Sequence, residues 1–342
     1  MAFRWALSFL LVVVSQMALA VRGDVVDSVA TNILLMPKPP TPFEKLIGGK
    51  LYSYLYVPET PPRLTSQRAL MVSLHSCIQR NDDMFVGGGW QSVADEYGMV
   101  VALPQSSREG LYGSLAGCWN FHKGMSASRE ESDPKYLLDL VDELLSDTAL
   151  NIDPNQVYIT GFSSGGAMAY SLACMAPEVF AGVGGVSALA AGAHGEQTTL
   201  AKPEFGTNEG LRRCLQLAGE REESLQTQLY NSSHGTEDPV VFSVHGDNNA
   251  NIGIAIHSVD HTLSPCREES LSGASGLNVS DVSAWCDGEG ELVSQIMVNG
   301  LGHSWPAGAK SVGGRYVDNK HMNYPAWITQ WFFENNRRVE RE

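Results

Sequence analysis

A serine between glycines, placed where an apolar run meets a helix-like segment, constrains this sequence more than any other feature. Residues 157–160 are β-branched or aromatic and predict a buried strand. After Gly161-Phe-Ser163-Ser-Gly165, the small apolar residues 166–173 predict a helix that packs closely on a sheet. This order is that of a nucleophile elbow, in which a serine sits at a strained strand-to-helix turn. The G-x-S-x-G pattern alone also occurs in flexible loops, so the prediction depends on the flanking strand and helix.

Strands and helices alternate on both sides of this turn. Further strands are predicted at 51–57, 68–75, 98–104, 181–186, 240–245 and 292–298, and further helices at 91–97, 132–150 and 325–335. The alternation predicts an α/β fold with a mainly parallel central sheet and helices on both faces. Residues 190–238 and 264–290 are more polar, and we expect them to be insertions that form a substrate wall.

The N-terminus has the layout of a secretory signal peptide. Arg4 precedes an apolar run at 5–14, and Ala18-Leu-Ala20 has the form of a signal-peptidase site. The run is short for a membrane span, which needs about 20 residues. We therefore expect a signal peptide at 1–20, an extended proline-rich leader at 21–45, and one catalytic domain at 46–342 of a secreted, extracellular protein.

Cysteine usage agrees with export. The chain has six cysteines and no C-x-x-C pair, a pattern that favours disulfides over a metal site and leaves the pairing open. Asn231-Ser-Ser and Asn278-Val-Ser are possible glycosylation acceptors. His257 and His261 have a metal-compatible spacing, but no third ligand accompanies them. We therefore predict no metal and no other cofactor.

The net charge of the chain indicates which classes of ligand it is unsuited to bind. A formal net charge of -15 argues against nucleic acid and against a polyanionic substrate, since both need clustered Lys and Arg. No basic amphipathic helix indicates binding to a membrane surface. We expect a monomer that acts on a neutral substrate.

A serine nucleophile needs a histidine base and an acid that orients it. In an elbow architecture they follow in the order serine, acid, histidine, each after a strand. Asp247 follows the strand predicted at 240–245, and His303 follows the one at 292–298, so Ser163, Asp247 and His303 are the predicted triad. Asp238, before that predicted strand, and Asp260, some distance after it, are the alternatives for the acid.

The oxyanion donors are predicted from the same architecture. One backbone N–H should follow the nucleophile and the other should come from a loop after an earlier strand. Ser164 and Cys77 meet these conditions, with His75 as a support of the second loop.

Six ordered blocks of this sequence together resemble a known family, the secreted esterases similar to polyhydroxybutyrate (PHB) depolymerases, which are related to feruloyl and acetylxylan esterases. The blocks are Leu74-His-Ser-Cys77-Ile-Gln79, Gly89-Trp90 with Ala94-Asp-Glu-Tyr97-Gly98, Cys118-Trp119-Asn-Phe121, the elbow, His245-Gly-Asp247, and Gly302-His303-Ser-Trp305-Pro306.

The resemblance implies an α/β-hydrolase fold with the triad named above and an oxyanion site shaped by His75. It also implies a Cys77–Cys118 disulfide. Trp119 and Trp305 become candidates for the substrate wall, with large core aromatics as the alternative interpretation. One departure from the family is Ser76, which stands where relatives usually have glycine.

These observations lead to one functional hypothesis and two alternatives. The first is a secreted serine esterase that cleaves a short-chain aliphatic polyester, such as poly(3-hydroxybutyrate), through an acyl-enzyme on Ser163. The second is a feruloyl or acetylxylan esterase, which uses the same chemistry on plant cell-wall esters. The third is a catalytically dead hydrolase fold that serves as a binding protein.

Overall fold

The computed structural model describes residues 44–195, 201–272 and 278–340. The predicted signal peptide at 1–20 and nearly all of the predicted leader lie outside these ranges. The strands are β1 (Glu44–Ile47), β2 (Leu51–Tyr56), β3 (Arg68–Leu74), β4 (Val100–Pro104), β5 (Ile152–Phe162), β6 (Gly182–Val186), β7 (Leu229–Gly235), β8 (Ser264–Ser272), β9 (Asn278–Cys286), β10 (Glu291–Val298), β11 (Trp305–Pro306) and β12 (Val317–Asp318).

The helices follow the same chain order. They are α1 (Asn81–Gly87), α2 (Trp90–Tyr97), α3 (Gly110–Ala116), α4 (Ser132–Ser146), α5 (Ser164–Met175), α6 (Thr207–Ala218), α7 (Val244–His257) and α8 (Tyr324–Asn335). Short 3₁₀ segments lie at Asn120–Ser126 and Gly219–Thr227. In the described ranges no helix is both long enough and apolar enough to span a bilayer.

Ten of the described strands form one sheet in the order β1-β2-β4-β3-β5-β6-β7-β10-β9-β8. Its centre, from β4 to β10, is parallel throughout. The pairs at the two edges are antiparallel. The predicted mainly parallel sheet is therefore confirmed, and the predicted strands at its centre correspond, within two residues at each overhanging end, to β3, β4, β5, β6 and β10.

The middle of the sheet is built for close packing. Every residue of α5 is buried, which explains its small side chains. β6 reads Gly-Val-Gly-Gly-Val and lies between β5 and β7. A Cβ atom on Gly184 would lie 2.3 Å from Tyr324 Oη, and one on Gly185 would lie 2.4 Å from Tyr170 Cε2. The glycines of β6 thus make room for two buried tyrosines.

The prediction of a strand at 240–245 is wrong. The strand at this place in the sheet is β7, and α7 already begins at Val244. β7 is hard to recognise because its middle is polar. Two of these side chains are hydrogen-bonded inside the fold: Asn231 Nδ2 donates to Ser294 Oγ at 3.0 Å, and Ser232 Oγ donates to Gly246 O at 2.9 Å, whereas the buried Ser233 Oγ has no partner among the described residues. Burial of hydrogen-bonded polar groups costs little, so the strand needs no apolar run.

The two predicted insertions also need correction. Residues 264–290 contain β8 and β9, a hairpin that extends the sheet at one edge, and residues 190–238 contain α6 and β7. Neither stretch is therefore simply a wall added to the fold. The structure describes no residue of 196–200 or 273–277 within them.

All six cysteines are paired. The Cys77–Cys118 bridge implied by the family resemblance is confirmed. Cys174–Cys214 joins α5 to α6, and Cys266–Cys286 joins β8 to β9.

Asn231, one of the two possible glycosylation acceptors, is not accessible in the folded protein. Its side chain is fully buried in β7, where it both donates and accepts hydrogen bonds. Asn278 begins β9, and its side chain lies outside the described residues.

Candidate active site

Four loops that leave the carboxyl ends of parallel strands carry the site. Cys77 follows β3, Ser163 follows β5, Asp238 follows β7 and His303 follows β10. Because the carboxyl ends of parallel strands share one edge of a sheet, residues from distant parts of the chain meet there.

Ser163 occupies a strained turn, as the sequence predicts. Its backbone has φ 56° and ψ -115°, a conformation that few residues other than glycine adopt. The flanking glycines are required by contact: a Cβ atom on Gly161 would lie 2.4 Å from Gly165 O, and one on Gly165 would lie 2.5 Å from His75 O. The elbow is therefore packed directly against the loop after β3.

The nucleophile and the histidine are in hydrogen-bond contact. Ser163 Oγ lies 3.0 Å from His303 Nε2, and His303 Nδ1 lies 2.8 Å from Asp238 Oδ2. The imidazole ring also packs on Phe162, with ring centroids 4.8 Å apart. This chain of contacts lets the imidazole take the serine proton while the carboxylate fixes its tautomer.

Asp238 is held as a carboxylate by its surroundings. Burial alone would raise its pKa, but His303 and His234, together with the Val240 amide, more than offset this, and the net pKa lies below the usual value. Its Oδ1 accepts from the amides of Val240 and Val241, both at 2.9 Å. The acid therefore presents Oδ2 to His303 in a fixed direction.

The predicted pairing of Asp247 with His303 is wrong. Asp247 lies in the first turn of α7, and its Oδ1 accepts a hydrogen bond from Gln295 Nε2 at 2.7 Å. In the structure His303 contacts Asp238 instead. Asp238 was one of the two alternatives for the acid, the one that precedes the wrongly predicted strand. Asp238 stands three residues after Gly235, where β7 ends, so recognition of that strand would have identified it.

A second histidine beside the acid was missed by the sequence reasoning. His234 is buried, its Nε2 donates to Val241 O at 2.7 Å, and the same nitrogen lies 3.6 Å from Asp238 Oδ2. Burial lowers the pKa of His234. A neutral imidazole here fixes the loop that carries Asp238.

The loops of the acid and the base are also bonded to each other. Thr236 N–H donates to Val298 O at 3.0 Å and Glu237 N–H donates to Leu301 O at 3.1 Å. Gly300 N–H donates to Thr236 Oγ1 at 2.9 Å. Asp238 and His303 are thus parts of one connected block.

The predicted oxyanion donors lie beside the elbow. The amides next to Cys77 are already used, since Ser76 N–H donates to Gln79 Oε1 at 3.1 Å and Ile78 N–H donates to Ala116 O at 2.7 Å. Of these three successive amides, the Cys77 N–H is the one without a described protein acceptor. Ser164 begins α5, where a helix leaves its first amides available for an anion.

His75 supports this loop as a neutral imidazole. It is fully buried, and burial lowers its pKa to about 4. Its Nδ1 donates to Ser76 O at 2.7 Å, and its Nε2 accepts from Ser106 N–H at 3.1 Å. The ring thus bonds the loop after β3 to the loop after β4.

The prediction that Trp119 and Trp305 line a substrate wall is wrong. Both side chains are fully buried. Trp119 Nε1 donates to His75 O at 2.8 Å, and Trp305 Nε1 donates to Gly88 O at 3.0 Å. They are core aromatics whose indole N–H groups hold neighbouring loops.

Only one group of possible metal ligands comes together in the described ranges. It consists of Cys266, Cys286 and Glu291. The two cysteines form a disulfide, so neither is a thiolate that can bind a metal.

Comparison with known proteins bears on this geometry. Residues 52–202, which include the oxyanion loop and the elbow, match the model of the family described as Esterase PHB depolymerase. A poly(3-hydroxybutyrate) depolymerase from Ralstonia pickettii is 32% identical over 300 residues, 85% of this chain and 59% of that protein. The chain therefore spans little more than half the length of this relative.

The chain is also similar to two proteins that are named as esterases. Feruloyl esterase B from Talaromyces funiculosus is 30% identical over 134 residues, 39% of this chain and 35% of that protein. Among solved structures, an acetyl xylan esterase from Aspergillus awamori superposes with a TM-score of 0.64 at 18% identity, covering 84% of this chain and 97% of the other. The chain has the α/β-hydrolase fold that the sequence predicts.

Proposed function

We propose that the protein is a serine carboxylic-ester hydrolase with Ser163 as nucleophile, His303 as general base and Asp238 as the orienting acid. The observation that carries the proposal is the continuous contact from Ser163 Oγ to His303 Nε2 and from His303 Nδ1 to Asp238 Oδ2. The match of residues 52–202 to the family model described as Esterase PHB depolymerase supports it.

The reaction follows from these contacts. His303 Nε2 takes the Ser163 proton as Oγ attacks the ester carbonyl, and the amides of Ser164 and Cys77 stabilise the oxyanion. The protonated imidazole, stabilised by Asp238, then donates its proton to the leaving alkoxide. Water repeats the sequence on the acyl-enzyme and releases the carboxylic acid.

For the substrate, we propose a short-chain aliphatic polyester such as poly(3-hydroxybutyrate). The family match of residues 52–202 and the depolymerase relative support this choice. The alternative, an acetylxylan or feruloyl ester, is supported by the shorter match to a feruloyl esterase and by the fold of the acetyl xylan esterase. We further propose that the protein is secreted as a monomer, and its three disulfides fit an oxidising compartment.

The nucleophile is tested with p-nitrophenyl butyrate. Ser163→Ala should lower kcat/KM at least about a thousandfold, because no other group can form the acyl-enzyme. Ser92→Ala, at an exposed serine of α2, is the matched control and should keep full activity. Wild-type protein that neither hydrolyses the ester nor reacts with a fluorophosphonate at Ser163 would support the dead, binding-protein alternative instead.

The substrate is tested by rates on a poly(3-hydroxybutyrate) film, on acetylated xylan and on methyl ferulate under the same conditions. We expect release of soluble hydroxy acids from the film to dominate. Turnover of xylan or ferulate with an intact film would overturn the polyester proposal while leaving the ester-hydrolase proposal in place.

A further inference from the structure

A basic cavity lies behind the proposed oxyanion loop. It has a volume of 180 Å³, well above the roughly 15 Å³ that one water molecule needs. Ile78 and Gln79, which follow Cys77 in the chain, form part of its wall. The charged residues that line it are Arg80, Arg108, Arg315, Asp82 and Asp83.

Arg108 is the unusual member of this group. Its side chain is partly buried, and in the part of the chain that the structure describes its guanidinium has no hydrogen-bond or ion-pair partner. Burial and the positive charge of Arg80 both lower the pKa of Arg108. Its backbone has φ 60°, a conformation that costs free energy in a residue other than glycine. A strained residue thus holds an unpaired cation beside a second cation.

Asp83 is engaged by groups other than Arg108. Asp83 Oδ2 accepts from the Arg80 amide at 2.9 Å, and the charges of Arg315 and Arg80 act on Asp83. No acidic side chain is among the groups that shift the pKa of Arg108, although the whole chain carries a net charge of -15. An anion in the cavity would relieve the repulsion between Arg80 and Arg108.

We propose that this cavity binds a small carboxylate anion, with Arg108 as its principal ligand and Arg80 and Arg315 as the surrounding cations. A guanidinium presents parallel N–H groups that match the two oxygens of a carboxylate. The fold places this cation on the cavity wall without using it elsewhere.

The cavity is connected to the oxyanion loop by hydrogen bonds. Arg315 Nη1 donates to Ile78 O at 3.1 Å, and the buried Gln79 side chain donates to Arg315 O. Gln79 Oε1 in turn accepts from Ser76 N–H at 3.1 Å. A bound anion that attracts the Arg315 guanidinium therefore acts on residues on both sides of Cys77.

The source of the carboxylate rests on the proposed function, because hydrolysis of an ester releases a carboxylic acid that is ionised at neutral pH. On that basis the ligand is the hydroxy-acid product, and its binding gives product inhibition that does not require the nucleophile. The anion site itself depends only on the arginines.

The test is calorimetric titration of 3-hydroxybutyrate, acetate and inorganic phosphate into the full chain carrying Ser163→Ala. We expect saturable binding of both carboxylates and weaker binding of phosphate. Arg108→Gln should weaken carboxylate binding about tenfold or more, since one charge-assisted contact is lost. Arg108→Lys, which keeps the charge but loses the paired N–H groups, should lie in between and also serves if Arg108→Gln does not fold.

Arg221→Gln, at an exposed arginine paired with Glu178, is the matched control and should bind as the parent does. Absence of saturable carboxylate binding, or equal binding by the parent and both Arg108 variants, would overturn the proposal. Phosphate binding as tight as that of the carboxylates would overturn the choice of ligand. Because the titration uses a protein without the nucleophile, its failure and a failure of the ester-hydrolase proposal appear in different experiments.

Discussion

Asp238 uses its two carboxylate oxygens for different purposes. Oδ1 closes its own loop through two amides, and Oδ2 contacts His303. An amide at this position could keep the shape of the loop but would carry no negative charge to stabilise the imidazolium. The loop contacts and the charge can therefore be separated by substitution.

We predict that Asp238→Asn lowers kcat about 10³–10⁴-fold, with a much smaller effect on KM, because the imidazole loses its tautomer and its counter-charge. Asp247→Asn, which removes a charge outside this contact chain, should change kcat less than about threefold. The measurement is steady-state kinetics on p-nitrophenyl butyrate. Equal losses in the two variants would show that the hydrogen bonds to His303 do not identify the acid.

Among single residues, the sequence predicts those whose role is indicated by their neighbours in the chain. Ser163 stands between glycines after an apolar strand, and His303 follows another apolar strand. Asp238 follows a polar strand in which Asn231 bonds to the distant Ser294, and no local sequence pattern predicts that bond. The burial of Trp119 is likewise set by a hydrogen bond to His75, 44 residues away.

Among the elements, the disulfides differ in what they hold. Cys77–Cys118 ties the oxyanion loop to the segment before the 3₁₀ turn at Asn120–Ser126, whereas Cys174–Cys214 ties α5 to α6. They close loops of nearly equal length, with sequence separations of 41 and 40. Their effects on the unfolded chain should therefore match, and their effects on catalysis should not.

We predict that Cys77→Ala with Cys118→Ala, and Cys174→Ala with Cys214→Ala, each lower the free energy of unfolding by about 4 kcal/mol, since loops of this size lose similar entropy when closed. The first pair should also lower kcat, because the Cys77 amide is no longer held. The second should leave kcat within about twofold. Urea unfolding and kinetics at 20 °C measure both; an equal fall in kcat for the two pairs would contradict the role of the oxyanion loop.

Strands and helices were predictable from sequence where the pattern of apolar side chains is regular along the element. The apolar runs of β3 and β5 and the amphipathic α4 were found from sequence because burial of their own residues forms them. β8 was not found, since its residues are polar and largely exposed. β9 was not found either, although Val282 and Ala284 are buried, since its place in the sheet depends on pairing with β10.

The whole molecule buries several imidazoles in their neutral form. Burial lowers the pKa of His75 to about 4 and that of His257 to about 3. Both values lie below that of the unfolded chain, so the unfolded state binds more protons as the solution is acidified. The stability from these groups is complete above about pH 6.5 and is lost as the pH falls towards the folded values.

We predict that acidification from pH 7 to pH 5 costs about 2 kcal/mol of unfolding free energy through each of these two histidines. His257→Gln should remove about 2 kcal/mol of that pH dependence, as measured by urea unfolding at the two pH values. Ser92→Ala, which removes no ionisable group, should leave the dependence unchanged. An identical pH dependence in wild type and His257→Gln would contradict a neutral buried His257.

The glycines of β6 have a consequence for the alignment of the site. The nucleophile and the oxyanion loop are packed together on β5 and β3, and the acid and base loops are bonded together on β7 and β10; β6 lies between the two blocks. The width of one strand filled by Tyr324 and Tyr170 therefore sets the distance over which the proton travels from Ser163 to His303. A methyl group on Gly184 would contact Tyr324 and no reacting atom. It would lower the catalytic rate by displacing the loops of Asp238 and His303 from the loops of Ser163 and Cys77.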